Sequence, residues 1–382
     1  MNKVFDNKLG LFVSGLVLGL IAVVLAMGGN PGNMAFCIAC FIRDIAGGIK
    51  LHQAGVVQYF RPEIAGLVLG SFLIAVSTKE FKVVSGENPL QKFVLGACTM
   101  IMALVFLGCP LRMVIRMSGG DLNAYVAFVG FTLGIVCGAQ FLKNGYEMTD
   151  SKKENNSFSG YILPILLVVG LILYNLPQEQ AAVEAALAQV AEGQKSVNGL
   201  LFAHTIQGAG PGGAHAAVLL AFVLAIVFGI IAQRARTCFA GSIRNLIFTK
   251  DAGLILPIAG LFVAMLVYNI TAGKFNPSFE GQPVAHNEHL WNFISMFGVG
   301  LAATFAGGCP LRQLILSGEG KVDSVMNVFG MLIGAAFAHN FALASSANGT
   351  TANGTTANGR IMCIVCLVIV VAIGIANSKK KA

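Results

Sequence analysis

Long apolar segments recur along the whole chain, and short polar stretches separate them. Ten of these segments are long enough for a helix to cross a bilayer. Their approximate bounds are 10–28, 62–78, 91–107, 122–142, 159–175, 213–233, 252–272, 290–307, 324–345 and 361–377. The apolar runs are continuous, whereas the strands of a membrane barrel alternate apolar and polar residues. The pattern therefore predicts an all-α polytopic membrane protein with about ten transmembrane helices.

The composition narrows the classes of function. Of the 382 residues, 56% are hydrophobic and only 11% are charged. Soluble globular proteins have about 25% charged residues, so a soluble domain could not cover such a large apolar core. This excludes nucleic-acid binding and soluble catalysis, and we expect neither an enzymatic activity nor a cofactor or metal site. The net charge of +8 fits basic cytoplasmic loops better than a polyanionic partner.

Basic residues predict the orientation of the chain in the membrane. With ten spans, most of them fall on one side: Lys3, Lys8, Lys79, Lys82, Lys143, Lys152, Lys153, Arg234, Arg236, Arg244, Lys250, Lys379, Lys380 and Lys381. The opposite loops after spans five, seven and nine carry only Lys195, Lys274 and Arg360. The positive-inside rule therefore places both termini in the cytoplasm. The exceptions lie in or next to segments that we expect to be re-entrant; they are Arg43, Lys50, Arg61, Arg112 and Arg116.

The chain contains an internal repeat. Gly-Cys-Pro-Leu-Arg at 108–112 recurs at 308–312, and the Cys-x-x-x-x-Ile-Arg-Asp segment from Cys37 is echoed from Cys238 as Cys-x-x-x-x-Ile-Arg-Asn. Five spans, an odd number, separate equivalent points, so the two copies face opposite ways. Inverted repeats are typical of transporters, whose substrate site lies at the bilayer midplane between the halves.

The repeat divides the chain into four predicted parts. The first half is 1–145, with spans one to four and half-helices at 34–48 and 109–118, and it is followed by a linking span and outer loop at 146–212. The second half is 213–345, with spans six to nine and half-helices at 237–248 and 309–317. The remaining residues, 346–382, form a low-complexity loop and span ten. We expect close helix packing at the spaced glycines Gly15/Gly19, Gly66/Gly70, Gly130/Gly134 and Gly330/Gly334.

The repeated pentapeptide has chemistry that suits an anion. Proline fits the first turn of a helix, which puts Cys109 and Cys309 near the N-cap. Unpaired backbone N–H groups and the positive helix end surround a thiol there. Arg112 and Arg312 lie in the same first turn. These surroundings favour a bound anion.

Each half thus contributes two half-helices that carry a cysteine and a nearby arginine. The candidate substrate path is Cys37, Cys109, Cys238 and Cys309, with Arg43, Arg112, Arg244 and Arg312. The predicted topology assigns Cys37 and Cys109 to the outer half-helices, and the other two cysteines to the inner ones. A buried cysteine is more often an apolar filler, and that is our interpretation of Cys98, Cys137, Cys363 and Cys366.

Cys37-x-x-Cys40 admits a second interpretation. Such a pair could serve an integral-membrane thiol/disulfide oxidoreductase that exchanges electrons with a quinone. The second copy has Gly241 at the position of Cys40, so the repeat does not retain the pair. The lost cysteine and the two-fold repeat favour transport over redox chemistry.

These motifs and the repeat layout resemble the YeeE/YedE family of bacterial inner-membrane proteins. Within it, the length and the Cys-x-x-Cys segment are most similar to the YedE-like selenium transporters. The resemblance implies an hourglass fold in which short helices meet at the centre and cysteines line the path. It also implies import of a small sulfur- or selenium-containing anion, such as thiosulfate, and cooperation with a TusA-like sulfur carrier protein in the cytoplasm. The presence of Cys40 and the insertion at 177–212 depart from this pattern.

Overall fold

The computed structural model describes residue 5 and residues 7–86, 88–147, 152–153, 157–346 and 354–378. Lys3, the lysines at 379–381 and residues 347–353 of the low-complexity loop lie outside the described residues.

The described residues form α-helices, four short 3₁₀ helices and two very short two-stranded sheets. In chain order the helices are α1 (Lys8–Met27), α2 (Ile38–Gly48), α3 (Pro62–Ser77), α4 (Pro89–Phe106), α5 (Pro110–Ser118), α6 (Leu122–Lys143), α7 (Ile162–Tyr174), α8 (Pro177–Leu187), α9 (Val218–Arg234), α10 (Phe239–Thr249), α11 (Leu256–Thr271), α12 (His289–Ala306), α13 (Pro310–Gly318), α14 (Val322–Asn340) and α15 (Ala357–Ala376). The strands pair antiparallel: β1 (Val84–Ser85) with β2 (Lys152–Lys153), and β3 (Ser196–Asn198) with β4 (Ala203–Thr205).

The prediction of an all-α polytopic membrane protein is confirmed. Each of the ten predicted spans contains one helix: α1, α3, α4, α6, α7, α9, α11, α12, α14 or α15. Within the described residues, nine apolar stretches are long enough to cross a bilayer. Helix α7 is too short to do so alone, and it completes a tenth span only together with α8, across a bend of 53°.

The long helices pack in pairs, and each pair joins a helix of the first half to a helix of the second half. Helix α1 packs along α11 while α9 packs along α3, and α4 packs along α14 while α12 packs along α6. Exchanging α1 with α9, α3 with α11, α4 with α12 and α6 with α14 leaves this set of pairs unchanged. That is the packing an internal two-fold axis produces. The division of the chain into repeat halves stays a prediction.

Small residues allow these helix pairs to touch through their backbones. A Cβ atom added to Gly130 would lie 2.3 Å from the carbonyl oxygen of Phe293, and one added to Gly330 would lie 2.0 Å from that of Phe93. Gly130 and Gly330 occupy equivalent positions in the repeat, and so do their partners. The expected role of the spaced glycines in close helix packing is confirmed at these contacts.

Contacts between connecting segments define two opposite faces of the molecule. On the first, which we call the terminal face, Arg234 pairs with Glu80, and the backbone at Tyr146 bridges to Ser378 near the end of the chain. On the second, the hairpin face, Lys50 donates to the carbonyl of Gly199 beside the β3–β4 hairpin. Within the described residues, the loops after α3, α6 and α9, which carry basic residues, thus contact one another on the terminal face.

The orientation of these faces in the membrane is testable with reporter fusions. We expect a fusion at residue 250 to report the cytoplasm, and fusions at residues 190 and 280 to report the outside, because basic loops are retained on the cytoplasmic side. Paired fusions to green fluorescent protein and alkaline phosphatase measure this. The same compartment for residues 190 and 250 would contradict the span count, and inverted signals at all three would contradict the orientation.

Candidate functional site

Two pairs of thiols lie at the ends of the short helices. The Sγ atoms of Cys37 and Cys109 are 3.9 Å apart, and those of Cys238 and Cys309 are also 3.9 Å apart. Each of these four cysteines is the N-cap residue of its helix: α2, α5, α10 and α13 respectively. The structure therefore joins the two cysteines of each half into a pair, which the sequence motifs alone did not specify.

The local sequence explains why the thiols face backbone N–H groups. The Cys37 Sγ accepts a hydrogen bond from the N–H of Cys40 at 3.4 Å, and the Cys238 Sγ accepts one from that of Gly241 at 3.1 Å. Cys109 and Cys309 each precede a proline at the first helical position. Proline has no backbone N–H, and the helix loses no hydrogen bond there, because an N–H in the first turn has no acceptor within the helix. All four sulfurs thus sit at the positive end of a helix, where negative charge is favoured.

The short helices are supported by the long helices of the opposite half. Helix α5 packs on α11, and α13 packs on α3. The contacts include a hydrogen bond from the Ser71 hydroxyl to the carbonyl of Ile315 at 2.7 Å, and one from the Asn269 amide to the hydroxyl of Ser118 at 3.2 Å. Helix α13 also contacts α2. The half-helices are therefore held between the two halves.

The two thiol pairs differ in how deeply their helices are buried. Every residue of α2 is buried, whereas only Phe239, Ala240 and Ser242 are buried in the equivalent α10. Loops of the hairpin face cover the first pair: Arg61 of the segment after α2 donates to the carbonyls of Pro211 and Ala214. The Cys37–Cys109 pair is consequently sealed, and the Cys238–Cys309 pair lies behind a less covered helix.

Arg112 is fully buried, and its guanidinium is occupied by protein acceptors. It donates to the carbonyls of Asn33 at 3.1 Å, Val284 at 2.8 Å and Leu107, and to the Cys40 Sγ at 3.2 Å. These contacts tie α5 to α2 and to the loops of the hairpin face. Arg112 lies next to the first thiol pair, as predicted, but nearly all its donors are already used.

Arg43 is also neutralised within the protein. Its guanidinium pairs with Asp44 at 2.7 Å, and the second carboxylate oxygen of Asp44 pairs with Arg61 at 2.7 Å. A buried charge costs much less free energy when it is paired and hydrogen-bonded. Asp44 and Arg61 were not among the predicted site residues. In the sequence, only the aspartate that follows the arginine in the Ile-Arg-Asp motif indicated this ion-pair network.

The two arginines of the second half are less constrained. Arg312 lies 3.3 Å from the carboxylate of Glu319, without the alignment that a hydrogen bond needs, and its Nη1 atom is buried without a hydrogen-bond partner. Arg244 is half-buried on α10 and forms no hydrogen bond or ion pair in the described part of the chain. The four predicted arginines therefore form two groups. Protein acceptors use the guanidinium donors of Arg43 and Arg112, whereas Arg244 and Arg312 keep donors that no protein group uses in the described part of the chain.

Of the remaining cysteines, Cys40 lies next to Cys37 of the first pair, and its Sγ accepts from Arg112. Cys98 lies beside Cys366 of α15, and all nine cysteines are free thiols. Among the described residues, no three His, Cys, Asp or Glu side chains are grouped closely enough to hold a metal ion. The groups that the structure brings together at the site are thiols and guanidinium groups at the N-termini of four helices.

Sequence comparison relates the second part of the chain to a family of sulphur transport proteins. A family model described as sulphur transport matches residues 234–382, which include Cys238, Cys309 and Arg312. No curated protein sequence matches the chain significantly. The match favours transport over the oxidoreductase interpretation of Cys37 and Cys40. The match over residues 234–382, which include the second thiol pair, supports the resemblance to the YeeE/YedE family.

Proposed function

We propose that the protein imports a small sulfur- or selenium-containing anion, of the thiosulfate type, along its two thiol pairs. The observation that carries this proposal is the duplicated geometry: each half places two thiols 3.9 Å apart at the N-termini of two half-helices. The sulphur-transport match supports the class of substrate. Selenium as the transported element is supported by the family resemblance only.

The proposed mechanism is a relay of weak contacts. A thiol is a weak hydrogen-bond donor, and substrate sulfur or selenium is a weak acceptor. Helix N-termini supply fixed N–H dipoles that compensate for the water an anion loses on entering the protein. Conduction requires sites that hold the ion without trapping it, which weak contacts in series provide. The ion would pass from Cys37 and Cys109 to Cys238 and Cys309.

The direction of transport follows from the predicted orientation. If the terminal face is cytoplasmic, the sealed pair lies towards the outside and the less covered pair towards the cytoplasm. An ion released there would reach a cytoplasmic sulfur carrier of the TusA type, which we include in the proposal on the basis of the family resemblance.

The decisive experiment measures uptake of labelled anions. Cells that lack the gene, with and without a plasmid that restores it, are given ³⁵S-thiosulfate, ⁷⁵Se-selenite or ⁷⁵Se-selenosulfate. We expect at least one of these ions to accumulate only in the restored cells. Accumulation of none of them, at a verified level of protein in the membrane, would refute the proposed function.

Unlabelled sulfate is the matched competitor, because it is an oxyanion without a sulfur that can accept a thiol hydrogen bond. We expect an excess of sulfate to leave uptake of the labelled ion nearly unchanged. Full inhibition by sulfate would indicate a general oxyanion path in which the thiols have no selective role.

A further inference from the structure

We propose that the two arginines of the repeated motif have different roles. Arg112 caps the broken helix of the first half, and Arg312 binds the anionic oxygens of the substrate beside Cys238 and Cys309. The second assignment rests on the proposed transport of a sulfur or selenium oxyanion. The argument starts from the carbonyl groups that each broken helix leaves without a partner.

Helix α4 ends inside the protein and exposes several carbonyl oxygens there. The last carbonyls of any helix lack intrahelical partners, and within a membrane water cannot supply them. Side chains do so here: His286 contacts the Val105 oxygen at 2.8 Å, Arg116 donates to that of Phe106 at 3.1 Å, and Arg112 donates to that of Leu107. The two buried arginines of α5 are therefore explained as caps of the preceding helix.

Helix α12 ends at the equivalent point, but other side chains cap it. The Phe305 oxygen accepts from the Tyr146 hydroxyl at 3.2 Å and from Lys92 at 3.4 Å. The Gln313 amide donates to the carbonyls of Ala306 at 3.1 Å and Gly308 at 3.3 Å. In the described part of the chain Arg312 caps no carbonyl, although it occupies the position of Arg112.

Three sequence differences between the copies accompany this change. Met113 is replaced by Gln313, which caps Ala306, the counterpart of the Phe106 that Arg116 caps. Arg116 is replaced by Leu316, and Cys40, which accepts from Arg112, is replaced by Gly241. The second copy thus gains a neutral cap, loses one arginine and loses a thiol acceptor. The loss of the thiol acceptor removes one of the four contacts that hold Arg112, and in the described part of the chain Arg312 makes none of the others.

The surroundings of Arg312 suit an oxyanion. Its motif neighbour Cys309 forms the thiol pair with Cys238, and 17% of the Arg312 side chain is exposed, against none for Arg112. The hydroxyl of Thr237, adjacent to Cys238, is buried and has no hydrogen-bond partner. A guanidinium forms charge-assisted, bidentate hydrogen bonds with oxyanions. The nearby carboxylate of Glu319 would compete for the same donors and favour release.

The test compares stability and affinity in matched variants of the two arginines. Arg312→Gln should leave the melting temperature of the purified protein unchanged and raise the KM for the transported ion about tenfold or more, because a charged pair is lost. Arg312→Lys should recover part of that affinity. Arg112→Gln should lower the melting temperature and the amount of folded protein, because Leu107 loses its cap.

Two further variants separate local charge from specific binding. Arg236→Gln removes an exposed arginine in the segment between α9 and α10, and it should leave the KM unchanged. Gln313→Met, which restores the residue of the first copy, should lower the melting temperature by uncapping Ala306 and Gly308. An unchanged KM in Arg312→Gln, or a loss of stability equal to that of Arg112→Gln, would overturn the assignment. Absence of uptake by the wild-type protein would instead refute the proposed function.

Discussion

Replacement of Cys109 by alanine should abolish uptake and leave the fold intact. Cys109 is buried at the N-cap of α5, where its side chain fills a small volume that alanine tolerates. The methyl group has no S–H to offer the passing ion, and Cys37 loses its partner at 3.9 Å. We expect uptake to fall at least about a hundredfold, because the relay is interrupted at this step; a hundredfold change corresponds to about 3 kcal/mol. Labelled-ion uptake, normalised to protein in the membrane, measures this.

Serine at the same position distinguishes two forms of the relay. A hydroxyl donates a hydrogen bond but cannot act as a soft sulfur ligand. Measurable uptake by Cys109→Ser would indicate that a donor suffices, whereas a loss equal to that of alanine would indicate that sulfur itself is required. Cys98→Ala is the matched control, since Cys98 is also buried beside another thiol but lies outside the proposed path. Normal uptake by Cys109→Ala would refute the relay and leave Cys109 as a core residue.

The ten spans and the N-cap positions of Cys109 and Cys309 could be predicted because they depend on local sequence. A continuous apolar run specifies a membrane helix, and Cys-Pro specifies a helix start. The inverted direction of the two copies followed from counting spans between Cys109 and Cys309. None of these inferences needs a contact between distant parts of the chain.

The pairing of thiols and the roles of the arginines could not be predicted, because they depend on long-range packing. Arg112 and Arg312 have identical neighbours in the pentapeptide, and the motif therefore predicts the same role for both. What separates them is whether Gln313 or an arginine caps the preceding helix, which only the three-dimensional contacts reveal. The same holds for Arg43, whose charge is neutralised by Asp44 in a network completed by Arg61, 17 residues further along.

Replacement of Gly330 by alanine should destabilise the whole molecule. Its added Cβ would lie 2.0 Å from the carbonyl oxygen of Phe93, where α14 crosses α4. A backbone atom cannot move aside as a side chain does, so the two helices must separate. Overpacking of this kind costs about 1–3 kcal/mol. A melting curve followed with a thiol-reactive dye suits this protein, because eight of its nine cysteines are buried until it unfolds.

Two further glycines make this prediction specific. Gly130→Ala should lower the melting temperature by a similar amount, because its Cβ would approach the carbonyl oxygen of Phe293 in the equivalent pair of helices, α6 and α12. Gly32→Ala is the control, since no atom lies within 4 Å of its added Cβ, and the melting temperature should stay at the wild-type value. Wild-type melting of both Gly130→Ala and Gly330→Ala would show that these helices do not meet through their backbones. The packing of helices of one half against helices of the other half would then be wrong.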